Sequence, residues 1–176
     1  MRTVRRKRLP FWTPVRIALF SAVVLVTLLV GLNAYYMHVQ GPRWEEENQA
    51  KWQAKHIAGL VSTKDAYKYV WDTTAWVVEG KDGDGDDAVV WLTGEKLDQY
   101  IVRKKKDSVI RAQLKEQFFQ GKPDAELKHM QLGILEGQPV WELFYARDQS
   151  GELLYYYDFY RYNDGGYIIT YNLPKQ

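Results

Sequence analysis

The sequence predicts an α+β protein: one apolar N-terminal helix, then two small units, each a helix followed by a four-stranded antiparallel meander. Three observations carry that reading. A charge-free run of 21 residues stretches from Ile17 to Met37. The rest of the 176-residue chain passes twice through the same order of one helical stretch and four strand-like runs. Between those runs stand Gly, Asp, Asn and Pro, the residues that tolerate tight or left-handed turns. The expected boundaries are a basic tail at 1–16, a membrane span at 17–37, a first unit at 38–106 with its juxtamembrane helix, and a second unit at 107–176.

As a helix, the apolar run spans about 31 Å, enough to cross a bilayer core. Six basic residues precede it (Arg2, Arg5, Arg6, Lys7, Arg8, Arg16) and no acidic one, whereas Glu45, Glu46 and Glu47 follow it. By the positive-inside rule the tail is cytoplasmic and everything beyond about Gln40 is extracytoplasmic. Phe11 and Trp12 on one side, and Tyr35, Tyr36 and Trp44 on the other, suit interfacial belts. A cleaved signal peptide shares the basic and apolar regions. The length of the run and the lack of a clear A-x-A site favour a retained single-pass anchor in the lipid bilayer. Without the six tail residues, 18 Lys+Arg face 22 Asp+Glu, so the outer part carries about −4, which argues against nucleic acid. The absence of cysteine removes disulfides and thiolate chemistry.

The first unit opens with a helix from Arg43 to Leu60, acidic in its first turn and closed by Gly59. Strands follow at 66–71, 74–80, 87–92 and 99–103. The stretch GKDGDGDD, 80–87, alternates aspartates as a calcium loop does. An EF-hand loop starting at Asp82 needs glycine sixth and glutamate twelfth, and the chain offers Asp87 and Thr93. Flanked by strands, the stretch reads as a hairpin turn. The run RKKK, 103–106, reads as a solvated hinge between the units.

The second unit opens with SVIRAQLKEQFF, with Asp107 or Ser108 as N-cap and Ile110, Leu114 and Phe118 as one apolar stripe. Strands follow at 127–136, 139–147, 153–162 and 166–173. Trp76 and Trp141 take the same place in the second strand of each unit. Units of roughly 65 residues bury limited cores, so the two are expected to lean on one another. Eleven aromatics crowd between Trp141 and Tyr171. In LLYYYDFYRY neither face is polar, although a sheet with one wet face alternates. A single helix covers one face only, so the other must meet the neighbouring unit or another molecule. Phe144, Tyr155, Tyr157 and Phe159 are the candidate partner-binding residues, since Tyr and other aromatics suit interfaces.

Catalytic sets are absent from the sequence: no G-x-S-x-G, H-E-x-x-H, P-loop or dinucleotide fingerprint occurs. His38, His56 and His129 are dispersed. Glu142 and Asp158 interrupt aromatic strands, and are read as a glutamate on a wet face and an aspartate near a strand end. No catalytic residue, cofactor or metal ligand is assigned, and no enzyme activity is expected.

The stretch LGILEGQPVWELFYARDQSGELLYYYDFYRYNDGG resembles the C-terminal domain of the YpmB/TseB-like proteins of Firmicutes. There a strand, a glycine turn, a W-E strand, a D-x-x-G turn and a tyrosine-rich strand ending in D-F recur in that order. AWVVEGKDGDGDDAVVWL resembles the first domain of the same proteins. The resemblance implies two tandem PepSY-like (cystatin-like) domains outside the cell, no catalytic residues, and a regulatory role in cell-wall elongation through association with a class B penicillin-binding transpeptidase. PepSY-like domains also occur in protease propeptides, which leaves restraint or chaperoning of a secreted protease as the alternative. The chain departs from the family pattern in its longer DFYRYNDGG segment and its aromatic enrichment.

Overall fold

The computed structural model describes residues 14–174, with the side chains of 38–43 excepted. The basic residues Arg2 to Arg8 and the belt residues Phe11 and Trp12 lie outside the described residues. Two compact units divide the chain at Glu45/Glu46.

In the first unit the apolar run is helical. Helix α1 covers Pro14–His56, 43 residues, and its stretch Pro14–Met37 is long and apolar enough to cross a membrane, with none of its hydropathic window buried in the protein. The Thr27 hydroxyl donates to the Val23 carbonyl at 2.9 Å, so this polar group is satisfied within the helix itself. Tyr36 and Trp44 meet edge to face at 5.8 Å. The sequence reading of a span and a separate helix from Arg43 is corrected here. The helix runs without interruption through Gly41 and Pro42. Proline removes one backbone hydrogen bond, a local loss in a helix of this length.

In the second unit, β1 (Ser62–Val70), β2 (Thr74–Lys81), β3 (Asp87–Thr93) and β4 (Gln99–Lys104) form one antiparallel meander. After a short 3-10 turn at Lys105–Asp107 and helix α2 (Arg111–Gly121), strands β5 (Glu126–Leu135), β6 (Gln138–Gln149), β7 (Glu152–Arg161) and β8 (Tyr167–Asn172) form another. All eight strands fall where alternation and turn residues place them, with shifted ends. Positive φ at Gly137 (74°) and Gly151 (83°) closes the β5–β6 and β6–β7 hairpins, a geometry that costs glycine least.

The end of α1 presents Ala50 and Ala54 to Trp76, Val78, Val90 and Leu92 on one face of the first sheet. The opposite face, with Tyr69, Val77, Val89 and Trp91, shares one core with Leu114 and Phe118 of α2 and with Met130, Leu132, Trp141 and Tyr145 of the second sheet. Trp76 and Trp141 thus each face the helix that precedes their own sheet. The sheets lean on one another as the size argument requires.

Two details of α2 differ from expectation. Its N-cap is Ile110, which is 61% exposed and makes no side-chain cap bond, so the apolar stripe reduces to Leu114 and Phe118. Ser108 is used elsewhere: its hydroxyl donates toward the Tyr162 carbonyl at 3.0 Å and accepts from Trp141 Nε1 at 3.1 Å.

Candidate functional site

The β6–β7–β8 register decides which aromatics act together. Cross-strand partners are Phe144 with Tyr157, Ala146 with Tyr155, and Glu142 with Phe159, and on the next strand Tyr157 with Tyr171 and Phe159 with Ile169. Directly paired residues share a face. Phe144, Tyr155, Tyr157 and Phe159 therefore lie together on the face turned away from α2, joined by Ile169, Tyr171, Leu153 and, from β5, His129 and Gln131.

Part of this face is covered from the first sheet. Trp71, at the β1–β2 corner, sets its ring 4.9 Å from Phe159, 5.0 Å from Tyr157 and 5.4 Å from Tyr171. Asp72 beside it accepts the Glu136 N–H at 2.6 Å. Phe159 is consequently 0% exposed and supports the face from within; it does not present itself to a partner. Tyr157 is half-buried, and burial followed by the nearby Glu142 charge raises its phenol pKa.

Beyond the corner the face opens. Phe144 stacks on Tyr157 at 4.7 Å and on Tyr155 at 5.7 Å, and His129 lies 5.3 Å from Phe144. Phe144, Leu153, Leu154, Tyr155, Leu173 and Pro174 line a groove of about 580 Å³ together with Glu152. Tyr155, Leu153 and Leu173 are exposed there. The arrangement offers rigid aromatic rings already ordered by stacking, which lowers the entropy lost when a protein surface is covered. Of the residues forming this face, Trp71 and Leu173 were not singled out by the sequence. A tryptophan followed by Asp at a hairpin corner is the signal that would have found Trp71.

Two buried carboxylates flank the core, and both correct the sequence reading. Glu142 is 2% exposed rather than wet, and accepts from Tyr69 Oη at 2.6 Å, Gln131 Nε2 at 2.9 Å and His129 Nε2 at 3.1 Å. Burial and this hydrogen bond push the Tyr69 phenol far up, so it stays a donor. Asp158 is fully buried in the middle of β7. It pairs with the Lys122 ammonium and accepts from Thr170 Oγ1 at 2.6 Å and from the Tyr145 and Tyr160 hydroxyls at 3.0 Å. The Lys122 ammonium also lies over the Tyr145 ring at 5.1 Å and the Phe118 ring at 5.5 Å. Leu143, not Glu142, is opposite Asp158, so the two carboxylates point to opposite faces and form no dyad. Each has the hydrogen bonds that a buried carboxylate requires, and so has a structural reason to be there.

The GKDGDGDD stretch is the β2–β3 hairpin. Asp82 Oδ1 accepts the N–H groups of Asp84 and Asp86, each at 3.0 Å, and Gly85 takes φ 84°. Asp82, Asp84 and Asp86 bring carboxylate oxygens within 4.8 Å of one another. The Lys104 ammonium stands among them at 2.9, 2.8 and 2.9 Å. Lys106 adds a bond to Asp86 at 2.6 Å, and Lys105 one to Glu79 at 2.5 Å. The Lys106 and Lys104 bonds hold the Asp86 carboxyl down at about 2. RKKK is therefore not a solvated hinge: it ties the end of β4 and the following turn to the β2–β3 hairpin.

Comparison with known proteins follows the same lines. Residues 49–93, from the end of α1 through β3, match the model of the cell wall elongation regulator TseB-like domain. Among solved structures, the YpmB protein from Bacillus subtilis superposes with a TM-score of 0.62 at 18% identity, over 72% of this chain and 96% of that one. No curated protein matches. The resemblance to the YpmB/TseB-like family read from the sequence is borne out, by the domain match at 49–93 and by a fold shared with YpmB over 72% of this chain.

Proposed function

Taking a TseB-like chain as premise, we propose that this protein is a membrane-anchored, non-enzymatic regulator of cell-wall elongation. It binds a class B penicillin-binding transpeptidase through the open part of the second sheet's aromatic face. The family domain at 49–93 supports the regulatory role in cell-wall elongation. The apolar helix Pro14–Met37 supports the anchor, and the charge asymmetry around it supports an extracytoplasmic location for both sheets. Each sheet with its preceding helix corresponds to one PepSY-like domain.

The observation that carries the partner reading is the groove bounded by Phe144, Leu153, Tyr155 and Leu173. It continues an ordered aromatic row whose other end is already packed under Trp71. A buried aromatic anchor beside exposed aromatic and aliphatic rims is the make-up of a protein interface core. Among the described residues the lining is mostly apolar and aromatic, with Glu152 as its one carboxylate, so the surface suits binding better than chemistry.

The test is a Tyr155→Ala, Leu153→Ser chain expressed in place of the native one. Cell elongation should fall to that of a deletion strain while protein level and melting temperature stay at the parent's. Normal elongation with both substitutions in place would remove this groove from the function.

A further inference from the structure

We propose that two copies of this chain pair edge to edge through β8, joining their second sheets into one continuous antiparallel sheet. β8 is the last strand of its sheet. In an antiparallel ladder, each residue sends its N–H and C=O to the same side, and the side alternates along the strand. The Leu173 N–H donates to the Tyr155 carbonyl at 3.0 Å, so Tyr171 and Leu173 face β7 and Thr170 and Asn172 turn their backbone groups to the open edge.

Proteins guard open edges with charge, proline or short length. The other outer strands obey: β1 carries Lys64, Asp65 and Lys68, β4 carries Arg103 and Lys104, and β5 carries Glu126, Lys128 and His129. β8, YIITYN, is as short as β4 but carries no charge and no proline. Ile169, Tyr171 and Leu173 are each 38% exposed on one face, and Thr170 and Asn172 stand on the other.

That pattern is complementary to itself. With Tyr171 of one copy opposite Tyr171 of the next, Thr170 falls opposite Asn172 twice, and these two pairs exchange all four free backbone hydrogen bonds. Ile169 then meets Leu173 on either side, so the three apolar side chains of each strand are covered by the same three of the other. A second copy is the occupant because β8 itself has the alternation the edge needs. The contact is small, but copies held by the Pro14–Met37 helix in one bilayer meet at raised effective concentration. Leu173 belongs to both the groove and this contact, so pairing narrows the groove to its Phe144, Leu153 and Tyr155 side.

The chain has no cysteine, so single-cysteine reporters can be placed in the full-length protein in nanodiscs. Opposed residues of a non-hydrogen-bonded pair stand about 4.5 Å apart at Cα, within the span of a disulfide. Under mild copper-phenanthroline oxidation, Tyr171→Cys chains should form disulfide dimers at least tenfold faster than Tyr167→Cys chains, whose Cα atoms would lie roughly 25 Å apart. Adding Asn172→Pro, which removes an outward N–H and no ladder bond within the fold, should slow the Tyr171→Cys reaction at least tenfold at an unchanged melting temperature. If proline melts the sheet, Asn172→Lys replaces it, placing a charge on the edge. Equal rates at 171 and 167, no effect of either Asn172 substitution, or a monomeric parent chain in membranes would each overturn the pairing.

Discussion

Gly133 sits on β5 directly under the Tyr69 ring, and a methyl group there would fall well inside van der Waals contact with that ring. By strand propensity alone, Gly133→Ala stabilises, by about 0.5–1 kcal/mol, because glycine loses more backbone entropy on folding. The structure reverses the sign. Tyr69 is 3% exposed and its hydroxyl is one of three donors to the buried Glu142, so the ring cannot retreat without leaving that carboxylate short of a partner. Overpacking costs about 1–3 kcal/mol and a lost hydrogen bond to a buried charged group about 1–3 more. A net destabilisation of about 3 kcal/mol corresponds, for a unit of this size, to a fall of roughly 10 °C in melting temperature. Thermal unfolding of the intact chain in micelles, followed by tryptophan fluorescence, measures it. In a Tyr69→Ala background the same Gly133→Ala change should be neutral or slightly stabilising, because the collision is gone. A Gly133→Ala chain that melts at or above the parent would refute the packing of β1 on the second sheet.

Further expectations follow from the same contacts. Lys122→Met removes the ammonium from the fully buried Asp158 and should cost about 3–5 kcal/mol in a denaturant melt, whereas Lys68→Met, at an exposed pair with Glu46, should change stability by less than about 1 kcal/mol. Phe159→Ser should destabilise by at least about 3 kcal/mol because the side chain is wholly buried under Trp71, while Tyr155→Ala should leave the melt within about 1 kcal/mol. Asp82, Asp86, Asp124 and Asp164 are all held below the ordinary carboxylate range by ammonium or guanidinium partners. Groups depressed on folding stabilise fully above their unfolded pKa and lose that contribution as pH falls through the folded one. Stability should therefore decline from about pH 4 towards Asp86's value of about 2. In the Lys104→Met chain, carboxyl carbon shifts should show Asp82 and Asp86 titrating at higher pH; unchanged titration curves would remove the ammonium from its place among them.

Much of the architecture is local and hence legible. The strands announce themselves by alternation and by glycine and aspartate turns, and the span by an uninterrupted apolar run. The alternation in LLYYYDFYRY also put Tyr155, Tyr157 and Phe159 on one face before any partner strand was known. What escaped is what arrives from far along the chain. Glu142 reads as a wet glutamate because its closest donor, Tyr69, stands 73 residues away. Phe159 reads as surface because the ring that covers it, Trp71, belongs to the other sheet. The RKKK run reads as solvated because its partners Asp82, Asp84 and Asp86 are brought to it only by β-sheet pairing, with Lys104 opposite Ala88 beside the hairpin. The absence of a side-chain cap at α2 has a similar origin, since Ser108 finds better partners in Tyr162 and Trp141.

The central claim, an open aromatic groove that holds a wall-synthesis enzyme, is tested most directly by photo-crosslinking in living cells. One probe replaces Tyr155 and a control probe replaces Lys64 on the edge of the first sheet. The account predicts that mass spectrometry of the Tyr155 adduct yields a class B penicillin-binding transpeptidase and that the control yields none. A secreted protease at Tyr155, or the same products from both positions, would contradict it.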